Sequence, residues 1–141
     1  MDSLIQLTRT PIRFSRDGTE YELSPLRLKD IAEFCVWAKT QIVTQARETI
    51  AALGDDAPEE IKRTVWLDAV EQCKHPFSSD ASSSPDGILK LCYLSLRIKQ
   101  PGMTQQQAAI LLEPFDLKIL SEWIKELLLG KPNSGEGDEK N

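Results

Sequence analysis

One histidine and three cysteines are all that 141 residues offer for nucleophilic or metal chemistry. A His-centred device would have to use His75, two residues after Cys73 and directly before Pro76, and no orienter or oxyanion donors for a Cys-His pair are identifiable. The plainer role for His75 is at the negative end of a helix dipole. Structural zinc takes four Cys or His ligands from paired short spacings, whereas Cys73-x-His75 supplies one cramped pair and Cys35 and Cys92 lie on apolar helix faces. Three widely spaced cysteines also argue against a disulfide scaffold and for reduced thiols in the cytoplasm. The seven glycines fall at expected turns, helix ends or the tail, so the phosphate-cradling loop is missing. No run approaches the ~18 apolar residues that span a bilayer, and the start MDSLIQLTRTPIRF lacks the order of a signal peptide. Positive charge is short as well: 17 basic against 22 acidic residues give a net charge of -5, the wrong sign for neutralising phosphates. The carboxylate pairs Asp55-Asp56 and Glu59-Glu60 sit at a helix start, where capping accounts for them. The expectation is a protein that is not an enzyme, with no catalytic, cofactor or metal site and neither nucleic acid nor membrane as partner.

What is present suits one helical domain over residues 1–130, since 40% hydrophobic residues are enough to fill the interior of a chain this size. The charge is uneven: residues 30–84 carry five basic and ten acidic groups, while 1–29 and 85–130 are nearly balanced. Asp17-Gly18 is the dipeptide of a two-residue type I′ turn, which predicts a hairpin over 12–23. Counting outward pairs Arg16 with Thr19, Phe14 with Tyr21, Arg13 with Glu22 and Ile12 with Leu23, so apolar pairs share one face.

After Ser24-Pro25, the spacing of Leu28, Ile31, Cys35, Ala38, Ile42, Ala46, Ile50 and Leu53 predicts a first helix ending at Gly54, about 26 residues or roughly 39 Å long. A second, with the weaker stripe Ile61, Val65, Ala69 and Cys73, runs to about Lys74. Residues 76–84 (PFSSDASSS) show no periodic face and read as a mobile Ser-rich linker. Ser84-Pro85-Asp86 opens a third helix whose apolar residues surround nearly its whole circumference, marking the most buried element. Thr104 to Gln107 fits a capping box for a short fourth helix, and Asp116 can cap a fifth with Leu117, Leu120, Trp123, Ile124, Leu127 and Leu128 on one face. Residues 131–141 hold no apolar side chain and are expected to be a disordered polar tail. The fold class is thus mainly α, an N-terminal β-hairpin followed by a five-helix bundle-like domain.

Residues 103–129 imitate a helix-turn-helix, the alternative reading being a small DNA-binding regulator. Against it, the second helix offers Asp116, Lys118, Ser121 and Glu122 where a recognition helix needs Arg, Lys, Asn or Gln. Aromatic placement is more informative. Trp37 lies across the first helix from its stripe, and Ile119 and Leu129 lie off the stripe of the fifth. Either neighbouring elements cover such groups or they anchor a partner. The candidate partner-binding residues are Trp37, Phe34, Trp66, Ile119, Trp123 and Leu129.

Two segments, Tyr21-Glu22-Leu23-Ser24-Pro25-Leu26-Arg27-Leu28-Lys29-Asp30 and Leu94-Ser95-Leu96-Arg97-Ile98-Lys99-Gln100-Pro101-Gly102-Met103-Thr104, resemble the tail assembly chaperones of long-tailed bacteriophages. In that family a short strand pair leads through a Tyr-x-Leu-x-Pro-Leu-x-Leu-x-Asp-like passage into a helix. A later helix ends in a Ser-Leu-Arg-like stretch before Pro, Thr and a short helix, and the order of elements is similar over roughly residues 12–130. The family often has Thr where this chain has Arg27, which removes a good N-cap. The resemblance implies a non-catalytic chaperone that binds the helical tape measure protein, keeps it soluble and helps recruit tail tube subunits, with self-association possible. It implies work in the cytoplasm of the bacterial host and absence from the finished virion. In many relatives a ribosomal frameshift near the end yields an extended form.

Overall fold

The computed structural model describes residues 7–8, 10–129 and 131–132. Among them are four strands, β1 (Leu7–Thr8), β2 (Ile12–Arg16), β3 (Thr19–Leu23) and β4 (Lys131–Pro132), and six α-helices. The helices are α1 (Leu28–Leu53), α2 (Glu59–Lys74), α3 (Asp80–Ser83), α4 (Pro85–Lys99), α5 (Gln105–Leu112) and α6 (Leu117–Leu129), with a 3₁₀ turn at Pro76–Ser78. The protein is mainly helical with an N-terminal antiparallel hairpin. Where the sequence suggests one domain, the chain divides into two compact units, the described residues up to Asp30 with those from Ile88 onward, and Ile31–Gly87.

In the first unit β2 and β3 pair in the counted register, from Arg16 opposite Thr19 to Ile12 opposite Leu23. Asp17 and Gly18 take φ of 52° and 80°, the left-handed pair that a type I′ turn demands. The apolar face of the hairpin meets other aromatics: Phe14 stacks on Tyr21 at 5.7 Å and on Trp123 at 5.8 Å, and meets Phe115 edge-on at 5.3 Å. The Arg16 guanidinium donates to the carbonyls of Ile110 (2.6 Å) and Leu111 (2.9 Å) at the end of α5, where Ile110 O also accepts from Glu113 N. The expected capping box forms, with Thr104 Oγ1 accepting from Gln107 N and the Gln107 side chain accepting from Thr104 N. Asp116 caps α6 through Lys118 N. Helix α4 is the most buried, as its wrap-round pattern predicts: Ile88, Leu91, Cys92, Leu94 and Leu96 are all buried. Burial pushes the Cys92 thiol up to about 12, so it stays protonated.

Arg27 leaves no capping hydroxyl at the head of α1, and Asp30 supplies the other half of the exchange. Its Oδ2 accepts from Arg27 N (3.1 Å) and Arg27 Nε (2.8 Å), and its Oδ1 accepts from Arg97 Nη2 (3.4 Å). Burial alone would raise this carboxyl, but the bonds from Arg27 and Arg97 outweigh it and hold the group below the usual aspartate range. Beside it, Ser95 Oγ donates to the carbonyl of Ser24 at 2.6 Å, tying α4 to the end of the hairpin.

In the second unit α1 has the predicted bounds, but its buried line is Phe34, Ala38, Ile42 and Ala46, in steps of four. The predicted stripe is right in its middle and wrong at its ends, for Leu28 is 86% exposed and Leu53 39%. Residues 76–84 are also corrected: this stretch folds into the 3₁₀ turn and α3. Its serines supply what periodicity does not. Ser79 Oγ donates to Pro76 O, Ser82 Oγ to Ser79 O and Ser84 Oγ to Ala81 O, each closing a local loop. Ser84 Oγ also accepts from Gly87 N, which makes it the N-cap expected for α4.

A last correction concerns the tail. Lys131–Pro132 forms β4 and pairs antiparallel with Leu7–Thr8. Strand pairing uses backbone groups, which a composition argument about side chains does not register. The rest of the expected tail, 133–141, lies outside the described residues.

Candidate functional site

Gly54, at φ 82°, ends α1 in the left-handed conformation, and a short connection returns the chain into α2. The two helices meet over a small core of Ile42, Ala46 and Ala69, with Val65, Cys73 and Ala81 partly buried against it. Only Ala69 is buried in the whole of α2. The helix is nevertheless apolar on a second side. At 100° per residue Trp66, Val70 and Leu67 lie roughly 60°, 100° and 160° from Ala69, an arc that begins on the flank of the Val65-Ala69-Cys73 line beside Cys73 and turns away from it, and they are 39%, 43% and 58% exposed. An apolar arc with no covering partner, on a helix with this little burial of its own, is the surface best suited to receive another chain.

The charge of the unit reinforces this. Ile31–Gly87 holds five basic and ten acidic residues, so the remaining chain, with twelve of each, is neutral and the net -5 resides in this one unit. Where α1, α2 and α3 meet, a cleft of about 310 Å³ opens over Ile42, Ala46, Val65, Ala69 and Ala81. Its walls carry Gln45, Thr49 and Gln72 with the carboxylates of Asp68 and Asp80. Among the described residues, no group of three His, Cys, Asp or Glu side chains is placed to hold a metal ion, and no helix is long and apolar enough to cross a membrane.

Comparison with known protein families, characterised proteins and solved structures finds no significant match for this chain. The site is therefore read from its own residues.

The six candidate residues do not form one surface. Phe34, Trp37 and Trp66 belong to the unit Ile31–Gly87, and Ile119, Trp123 and Leu129 to the other. Phe34 is corrected outright: it is fully buried, its ring 5.5 Å from Trp37 and 5.0 Å from Phe77. Trp37 is half-buried against Phe34, and Phe34 in turn meets Phe77 of the Ser-rich stretch. Trp123 is half-buried too, held between Phe14 and Phe115 as part of the seat of the hairpin. Trp66, Ile119 and Leu129 are at the surface, at 39%, 41% and 66% exposure. Sequence reasoning missed Leu67, although the same angular count that singled out Trp37 places it about 60° from Val70, on the far side of α2 from Ala69. It missed Phe77 because a stretch without periodicity was set aside despite containing an aromatic. The cleft carried no sequence signal, since its walls come from three separate helices.

Proposed function

We propose that this chain is a bacteriophage tail assembly chaperone, a non-catalytic protein that binds the tape measure protein, keeps it soluble and helps bring tail tube subunits to it. The reading places it in the cytoplasm of the bacterial host and outside the finished virion. The two segments around Tyr21 to Asp30 and Leu94 to Thr104 supply the resemblance. The observation that carries the physical side is the exposed arc of Trp66, Leu67 and Val70 on a helix that buries Ala69 alone. A chaperone for a long helical partner must display apolar surface without aggregating, and an excess of like charge in the same unit keeps copies of the chain apart. The DNA-binding alternative gains nothing from α6, whose exposed first turns carry Leu117, Lys118, Ile119 and Glu122.

Coexpression with a tape measure fragment that is insoluble alone tests the reading. The fragment is expected to move into the soluble fraction and to copurify with this chain. The triple substitution Trp66→Ser, Leu67→Ser, Val70→Ser is expected to abolish capture while the circular dichroism stays unchanged. A fragment that remains insoluble beside the intact chain overturns the proposal.

A further inference from the structure

We propose that the cleft between α1, α2 and α3 receives the cationic side chain of a lysine or arginine presented by an amphipathic helix of a partner polypeptide. Three alanines, Ala46, Ala69 and Ala81, line the cleft, and their small side chains leave about 310 Å³ that larger apolar residues would have filled. The rim is of one sign, because Asp68 and Asp80 are both exposed and none of the lining residues is basic. An apolar floor beneath a pair of carboxylates matches a side chain made of a methylene stem and a cationic head. The Gln72 amide donates to Asp68 Oδ2 at 2.9 Å, which orients that carboxylate while leaving acceptor capacity on both oxygens.

The cleft also argues for the shape of its occupant. Ile31–Gly87 contains no strand among its described residues, so an extended peptide would find no edge for its backbone, whereas a helix satisfies its own. Ile61 stands two turns before Asp68 on the same side of α2, about 10 Å away along the axis, and is 47% exposed. A partner helix lying along α2 would thus set an apolar residue on Ile61 and a cation between Asp68 and Asp80. This face differs from the one bearing Trp66, Leu67 and Val70. The same unit of a second copy is a poor occupant, since it carries the same acidic surplus.

The inference rests on the chaperone reading for the helical nature of the partner, and its test uses no tape measure protein. The isotope-labelled full chain is titrated with a synthetic peptide of about 20 residues built from leucine and lysine heptads, long enough to hold a helix when bound. Amide shifts are expected to concentrate at 42–49, 65–72 and 80–81, and the matching leucine and glutamate peptide is expected to produce none. Asp68→Asn with Asp80→Asn should weaken binding about tenfold, the worth of two partly exposed ion pairs. The control pair Asp55→Asn with Asp56→Asn changes net charge equally at the α1–α2 connection and should leave affinity within about twofold. Equal weakening by both pairs, or shifts confined to the hairpin and α4–α6, overturns the assignment. Groove binding without capture of the tape measure fragment would sink the chaperone reading alone, and capture without groove binding would sink this inference alone.

Discussion

Helices α4 and α2 differ by one residue in length, 15 against 16, yet α4 buries Ile88, Leu91, Cys92, Leu94 and Leu96 while α2 buries only Ala69. The first is held by its surroundings. The second relies on local devices: Glu59 and Glu60 in its first turn, Lys74 in its last, the pair of half-buried Lys62 with exposed Glu59 at 3.8 Å, and the exposed pair Lys74–Glu71 at 3.4 Å. Such pairs contribute a few tenths of a kcal/mol each, and an isolated helix of about this length is marginal in water. The contrast teaches that two helices of nearly equal length in one chain can be given opposite roles, one burying its apolar side chains and the other displaying them.

The comparison is sharpest where a core side chain is removed. Leu94→Ala, at a fully buried site, should cost about 3 kcal/mol or more, read as a lowered urea midpoint. Next comes Gly87→Ala. The added Cβ would fall inside contact distance of the Ala81 carbonyl, with no flexible side chain to yield, and a cost of about 2 kcal/mol is expected for such overpacking. Amide exchange should then show α3 losing protection before the later turns of α4; unchanged protection at 80–83 would show that this close approach is not what holds α3.

Asp30→Asn should cost about 1 to 2 kcal/mol at neutral pH, since it weakens a buried acceptor set. Its pH dependence is more diagnostic. The folded carboxyl lies below its unfolded value, so the stability it contributes is present above the ordinary aspartate range, about pH 4, and is lost as pH falls through the depressed folded value. The parent chain should weaken on acidification below that point more steeply than the variant, and parallel urea midpoints from pH 5 to pH 2 would remove Asp30 from the account. The smallest effect belongs to Leu67→Ala, within about 0.5 kcal/mol because the side chain is 58% exposed. A loss comparable to that of Leu94→Ala would erase the distinction between the two units.

Much of the hairpin unit could be read in advance because its signals are local. Asp17-Gly18 fixes the turn and with it every pair from Arg16 to Ile12, and Thr104 with Gln107 marks the start of α5 within four residues. The other unit resisted for two physical reasons. Its buried line on α1 advances in steps of four, which drifts about 40° per step against a 3.6-residue turn, so it coincides with the predicted stripe at Ala38, Ile42 and Ala46 and departs from it at Phe34. Its Ser-rich segment is ordered by hydroxyl-to-carbonyl bonds, and those have no hydrophobic period to detect. Single-helix geometry singled out Ile119 and Leu129, which are exposed, but could not see Phe77 packing on Phe34.

The bonds from Arg16 to Ile110 and Leu111, and the ring contacts of Phe14 with Phe115 and Trp123, join residues about a hundred positions apart. An isolated two-stranded hairpin is barely stable in water. During synthesis, therefore, β2 and β3 emerge well before the side chains and carbonyls that secure them, and the hairpin waits for about a hundred further residues before it can settle.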